Sequence, residues 1–169
     1  NKIYGLENPC HKMFKELFLT NNVSFKAISL DESGIVVEDL KKYNVNIAYV
    51  TPSHQFPTGV IMSISRRTEL LNWANENTDC YIVEDDYDSE FKYTGRPIPA
   101  LKANDINDKV IYLGSFSKSI SPAIRVSYLV LPKALLNIYQ RELPYFICPV
   151  PTLNQKILYR FIKDGYFVK

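Results

Sequence analysis

Three short apolar runs, each broken off by polar residues, constrain this chain more than any other feature: Ile47 to Val50, Tyr81 to Val83 and Val110 to Leu113. A run this short with no polar alternation is the pattern of a strand buried on both faces, as parallel strands are. Further strands are read at Ile3 to Leu6, Phe25 to Leu30 and Val126 to Leu131. Helical periodicity fills the intervals. Phe14, Leu17 and Phe18, at i, i+3 and i+4, place a helix after the turn Glu7-Asn8-Pro9. Val37 and Leu40 mark a short helix within Val36 to Tyr43, and Leu70, Trp73 and Ala74 mark the inner face of a longer one at about Ser65 to Asn77. Pro132 opens another that runs to about Glu142, and Leu153, Ile157, Leu158, Phe161 and Ile162 define the last. Asp31-Glu32-Ser33-Gly34, Gly95-Arg96-Pro97-Ile98-Pro99, Asn104 to Asp108 and Leu143 to Pro151 read as turns and loops. Strand and helix alternate throughout. The expected class is α/β: a mostly parallel sheet covered on both faces, a three-layer sandwich.

Parallel strands bring their C-terminal ends to one edge, where ligands bind, so the residues after each apolar run carry the chemistry. After Leu113 come Gly114-Ser115-Phe116-Ser117-Lys118, with Arg125 seven residues on. A lysine there is either a solvated surface residue or an amine held to attack a carbonyl. Two hydroxyls and a forked guanidinium nearby suit a phosphate group and favour the second reading. After Val83 come Glu84-Asp85-Asp86-Tyr87-Asp88-Ser89-Glu90-Phe91. A carboxylate at a strand end can hold a protonated ring nitrogen, and a tyrosine two residues later lies on the same side of an extended chain. The alternatives are a solvated acidic turn or a calcium loop, and the calcium reading lacks the glycine such a loop needs for its sharp turn. After Val50 comes the loop Thr51-Pro52-Ser53-His54-Gln55-Phe56-Pro57-Thr58-Gly59.

Together these three stretches resemble the large domain of fold-type I pyridoxal-phosphate enzymes, the aspartate aminotransferase-like group. Their wording is more similar still to the aminotransferase-like domain of MocR-type regulators in the GntR superfamily. The resemblance covers almost the whole chain, with the motifs in the family's order and spacing. It implies that residues 1–169 are an incomplete large domain. The glycine-rich phosphate loop would precede Asn1, and the arginine that grips a substrate carboxylate would lie beyond Lys169 in a small domain.

The resemblance also implies roles. Lys118 would form a Schiff base with pyridoxal 5′-phosphate and then serve as general acid–base. Asp85, thirty-three positions earlier, would keep the ring nitrogen protonated, with Asp86 pointing the other way. Tyr87 would donate to the ring's phenolic oxygen, and Ser115, Ser117 and Arg125 would hold the phosphate. His11, two residues after Pro9, stands where the family often stacks an aromatic ring on the cofactor; a surface histidine at a helix start is the other reading. One departure is Phe56. Aminotransferases of this fold usually read Asn-Pro-Thr-Gly here, with the amide reaching the phenolic oxygen, so efficient transamination is in doubt while cofactor binding is not. His54 and Gln55 are the neighbours left to replace that amide.

The expected function is therefore an effector-sensing, cofactor-binding domain of a GntR/MocR-type transcriptional regulator, responsive to an amine or amino acid. Two alternatives stand beside it: a free-standing class I/II aminotransferase, and a degenerate scaffold that serves only for dimerisation. The resemblance implies a homodimer, and contact with DNA only through a winged helix-turn-helix outside this segment. Composition agrees. The net charge of +2 and the lack of a basic run point to no nucleic-acid surface within the segment. Cys10, Cys80 and Cys148 lack metal spacing and read as free thiols in a reducing cytoplasm. No run is long enough to cross a membrane, and no metal is expected.

Overall fold

The structure, a computed structural model, describes residues 2–88 and 98–167. In chain order its elements are β1 (Tyr4–Asn8), α1 (Lys12–Thr20), β2 (Phe25–Asp31), β3 (Gly34–Ile35), α2 (Val37–Lys42), β4 (Ile47–Val50), α3 (Ile64–Glu76) and β5 (Tyr81–Asp86). A single 3-10 turn at Leu101–Asn104 follows, then β6 (Val110–Ser115), α4 (Phe116–Ser119), β7 (Ser127–Val130), α5 (Lys133–Glu142) and α6 (Thr152–Lys163). Among the described residues the strands form one sheet in the order β3-β2-β1-β4-β5-β6-β7. β1, β2, β4, β5 and β6 are parallel, and the flanking β3 and β7 are antiparallel to their neighbours. The expected mostly parallel α/β sheet is what the chain forms.

The apolar runs supply the core because successive side chains face opposite ways. Ala48, Val50, Ile82 and Val110 turn to one face, where Leu40 of α2 and Leu70, Trp73 and Ala74 of α3 bury them. Ser63 caps α3, its hydroxyl accepting from the Arg66 backbone N–H. On the opposite face α1 lies over the sheet through rings: Phe14 stands 4.7 Å from Tyr49, and Phe18 stands 5.0 Å from Tyr4. Leu17, expected on the inner face of α1, is 56% exposed, since Phe14 and Phe18 already fill the approach to the sheet. The last helix departs from expectation in the same way. Of its apolar stripe Leu158 is buried, while Leu153 and Ile157 stand exposed.

Two buried charges tie loops to the core face. Arg67 donates to the carbonyls of Met62, Pro52 and Pro99, and Glu84 accepts from the backbone N–H groups of Leu101 and Lys102 at 2.7 and 2.9 Å. Burial pushes Glu84 upward and Arg67 downward from their usual pKa ranges. Gly114, the penultimate residue of β6, is glycine for a steric reason: a Cβ there would overlap the ring of Tyr128 on β7. The proline-rich stretch read at 95–99 falls mainly on 95–97, outside the described residues, as do Ser89, Glu90 and Phe91. No helix among the described residues is long and apolar enough to cross a membrane.

Candidate functional site

The chain turns back on itself between β1 and β4. From β1 it builds β2 and β3 to one side, then returns to lay β4 on the other side of β1. Such a switch point leaves a crevice beyond the carboxyl ends of the two strands. A cavity of about 200 Å³ lies there, lined by Leu6, Glu7, Cys10, His11, Phe14, Tyr49, Thr51, Phe56, Asp85 and Tyr87.

Asp85 reaches the cavity from the end of β5. Its Oδ2 accepts from the Tyr49 hydroxyl at 2.5 Å. Burial, aided by neighbouring Asp86, holds its carboxyl above the usual range, and the Tyr49 hydrogen bond opposes that. The same proximity pushes the Tyr49 phenol up, burial first and the Asp85 charge second. Asp86 leaves β5 on the opposite face, where the Tyr112 hydroxyl donates to it at 2.6 Å. The two adjacent aspartates thus serve different sides of the sheet.

Tyr87 lines the cavity and donates its hydroxyl to the His54 carbonyl at 2.7 Å. Lys118 Nζ sits over the Tyr87 ring, 5.1 Å from its centroid, and pairs with Asp88 at 2.8 Å. Lys118 gains this place because Ser115 ends β6 and caps α4, its hydroxyl accepting from Ser117 N–H at 3.2 Å. Ser115, Ser117 and Lys118 therefore share one strand–helix junction. Arg125 is exposed at φ +49, immediately before Val126, whose carbonyl accepts from Phe116 N–H. That bond keeps Arg125 beside the junction, although no hydrogen bond joins its side chain to either serine. His11 caps α1 through Nδ1, which accepts from Met13 N–H, and its ring lies 5.3 Å from that of Phe56 at the cavity wall.

Gln55 does not take the place of the missing amide. It is 2% exposed, its Nε2 donates to the carbonyls of Pro9 and Phe56, and its Oε1 accepts from Thr58. The side chain organises the loop, and Gly59, at φ +76, completes it. His54 is turned to Asp88.

Three residues of the site escaped the sequence reading. Tyr49 sits within an apolar run and gives no sign of its hydrogen bond. Glu7, expected in a turn, lies within β1 and is 4% exposed, and its Oε2 accepts from Thr51 N, Thr51 Oγ1 and Gln55 Nε2. Burial pushes its carboxyl up to about 7. An apolar strand running into a carboxylate, the signal that singled out Asp85, was present at Leu6-Glu7 too. Asp88, 2% exposed, binds both His54 and Lys118.

No family model matches the chain. It is 42% identical to the uncharacterized HTH-type transcriptional regulator YdeL of Bacillus subtilis (strain 168), over 98% of this chain and 35% of that protein. It is 33% identical to the probable rhizopine catabolism regulatory protein MocR of Rhizobium meliloti, over 98% of this chain and 33% of the relative. Among solved structures it is similar to the kynurenine aminotransferase of Pyrococcus horikoshii, a complex with PMP, with a TM-score of 0.86 and 30% identity over 99% of this chain and 43% of that one. The chain spans about a third of the length of the curated regulators it matches. Matched along nearly its whole length by both groups, the chain has the fold of the fold-type I aminotransferases, and its homologues are MocR-type regulators of the GntR superfamily and aminotransferases.

Proposed function

We propose that this chain is the pyridoxal-5′-phosphate-binding part of a MocR-type transcriptional regulator, and that an amine or amino acid at the same site sets the state read by a DNA-binding winged helix-turn-helix elsewhere in the protein. The observation that carries the reading is the donor set at one sheet edge: Asp85 and Tyr87 on the cavity, with Lys118 lying over the Tyr87 ring. These groups fit the cofactor's chemistry. A half-buried carboxylate suits a protonated ring nitrogen, a phenol suits a phenolic oxygen, and the Ser115, Ser117 and Arg125 junction suits a phosphate. When bound, pyridoxal phosphate supplies an electron sink for reactions of amines.

The chain's own residues then divide the work. Asp85 holds the proton on the ring nitrogen, and Tyr49 fixes the orientation of that carboxylate. Tyr87 donates toward the ring oxygen, and Lys118 supplies the amine that captures the aldehyde. His11, with Phe56 against it, closes the cavity wall and offers a flat face to the ring. The exposed Tyr145, Phe146 and Ile147 support a homodimer. A DNA-reading regulator of this kind works in the cytoplasm.

The test is made on the full-length protein. Adding pyridoxal phosphate should produce absorbance near the visible edge, and Lys118→Ala should abolish both that absorbance and the borohydride-reducible adduct. An adduct that survives at the same site in the variant overturns the assignment.

A second reading, an aminotransferase, is favoured by 31% identity over 99% of this chain to the aromatic-amino-acid aminotransferase 1 of Thermococcus litoralis. Phe56 speaks against it, since it places no donor at the cavity wall. Conversion of the bound cofactor to its amine form by excess amino acid, at the rate of an enzyme, would favour this second reading.

A further inference from the structure

Asp88 presents one oxygen, Oδ2, to two side-chain nitrogens. Lys118 Nζ lies 2.8 Å from it and His54 Nδ1 lies 2.9 Å from it. The carboxylate's side chain is 3% exposed, whereas those of Lys118 and His54 are 45% and 40% exposed. The acid is therefore fixed in the protein, and its partners approach from the open side. His54 is held in turn by its own backbone, whose carbonyl accepts from Tyr87. We propose that Asp88 is a positioning residue shared by Lys118 and His54, and that His54 keeps its charge matched when Lys118 turns to a ligand.

This proposal rests on the function proposed above. Capture of an aldehyde by Lys118 is a condensation. The ammonium and the carbonyl give a protonated imine and one water, so the nitrogen gains a C–N double bond, the carbonyl oxygen departs as water, and no net charge is created. An imine nitrogen keeps at most one hydrogen, and that hydrogen belongs to the ligand's side. Asp88 then loses the stronger of its two donors. A carboxylate this buried is costly to leave unpaired. His54 already touches the same oxygen, so no further movement is needed to keep the pair.

A double-mutant cycle on the full-length protein tests this, with pyridoxal 5′-phosphate as the probe and its dissociation constant read by equilibrium absorbance. His54→Gln should weaken binding by about tenfold or more, the lower part of the range for a buried acceptor left without a proper partner. In an Asp88→Asn background, where no charge remains to be matched, His54→Gln should do little further. The His54 imidazole should also report the change directly, with its ring nitrogens shifting in the NMR spectrum when the probe binds wild-type protein and not when it is added to Lys118→Ala. Multiplicative effects of the two substitutions, or a His54→Gln protein that binds as tightly as wild type, would overturn the shared-carboxylate proposal while leaving the cofactor reading intact. Failure of wild-type protein to bind the probe at all would overturn both.

Discussion

Tyr49 and Asp85 stand on adjacent strands and share a 2.5 Å hydrogen bond at the cavity wall. The bond is one of the influences that keep the Asp85 carboxyl from rising further. Removing it with Tyr49→Phe should push Asp85 further upward, so its neutral form persists to higher pH. A protonated ring nitrogen then meets a partner that must first ionise. The expected loss in cofactor affinity is about 1.5 kcal/mol, that of a hydrogen bond to a charged group. Because a raised carboxyl is protonated as pH falls, the deficit should widen at lower pH. Titrations of wild type and variant at two pH values check both the size and the sign; a deficit that shrinks on acidification contradicts it.

Asp85→Asn and Asp86→Asn should separate binding from stability. The first faces the cavity and should weaken cofactor binding by about 3 kcal/mol, the cost of breaking a partly buried charge pair. The second faces Tyr112 and the core side, where its charge also favours buried Arg67. It should lower the unfolding free energy by about 1–2 kcal/mol and leave the cofactor affinity nearly unchanged. Equal losses of affinity from the two would mean that the faces of β5 are not functionally distinct.

Glu7 predicts a slope in stability with pH. Its carboxyl is raised from 4.5 to about 7 in the folded chain, burial being the main cause. A raised acid favours folding fully below the unfolded value, and that contribution is lost as pH climbs through the folded one. Between about pH 4.5 and 7 the chain should therefore lose roughly 3 kcal/mol from this group. Glu7→Gln keeps an oxygen for Thr51 and Gln55, whose bonds all reach Oε2. It should flatten that slope in urea midpoints measured from pH 5 to 8. An unchanged slope would place the titration elsewhere.

The sequence disclosed what local pattern can carry. The runs at Ile47, Tyr81 and Val110 became β4, β5 and β6, because a strand buried on both faces has no room for polar alternation. β1 is longer than Ile3 to Leu6 suggested, for Glu7 can be buried only when Thr51 and Gln55, remote in sequence, supply its donors. The same blindness hid Asp88, whose partners come from the loop after β4 and from α4. Helix faces were read well where the core is dense, as at Leu70 and Trp73, and poorly at Leu17, Leu153 and Ile157, where apolar side chains stay exposed. Periodicity names a face; it does not say what covers it.

The seam between β1 and β4 has a kinetic meaning. Among the described pairings β1 meets β4 across the longest stretch of chain, after α1, β2, β3 and α2 have been laid down, whereas every other pair joins strands that are consecutive in the chain. Closing that span spends chain entropy before any contact repays it, so this pairing should form last and part first. Amides that bridge the seam, such as Thr51 N–H on Glu7, should then exchange with solvent faster than those between β5 and β6. Uniform exchange across the sheet would show that it opens as one unit. With the cavity set astride this seam, a ligand lodged in it staples the late joint shut, and occupancy and folding become a single equilibrium.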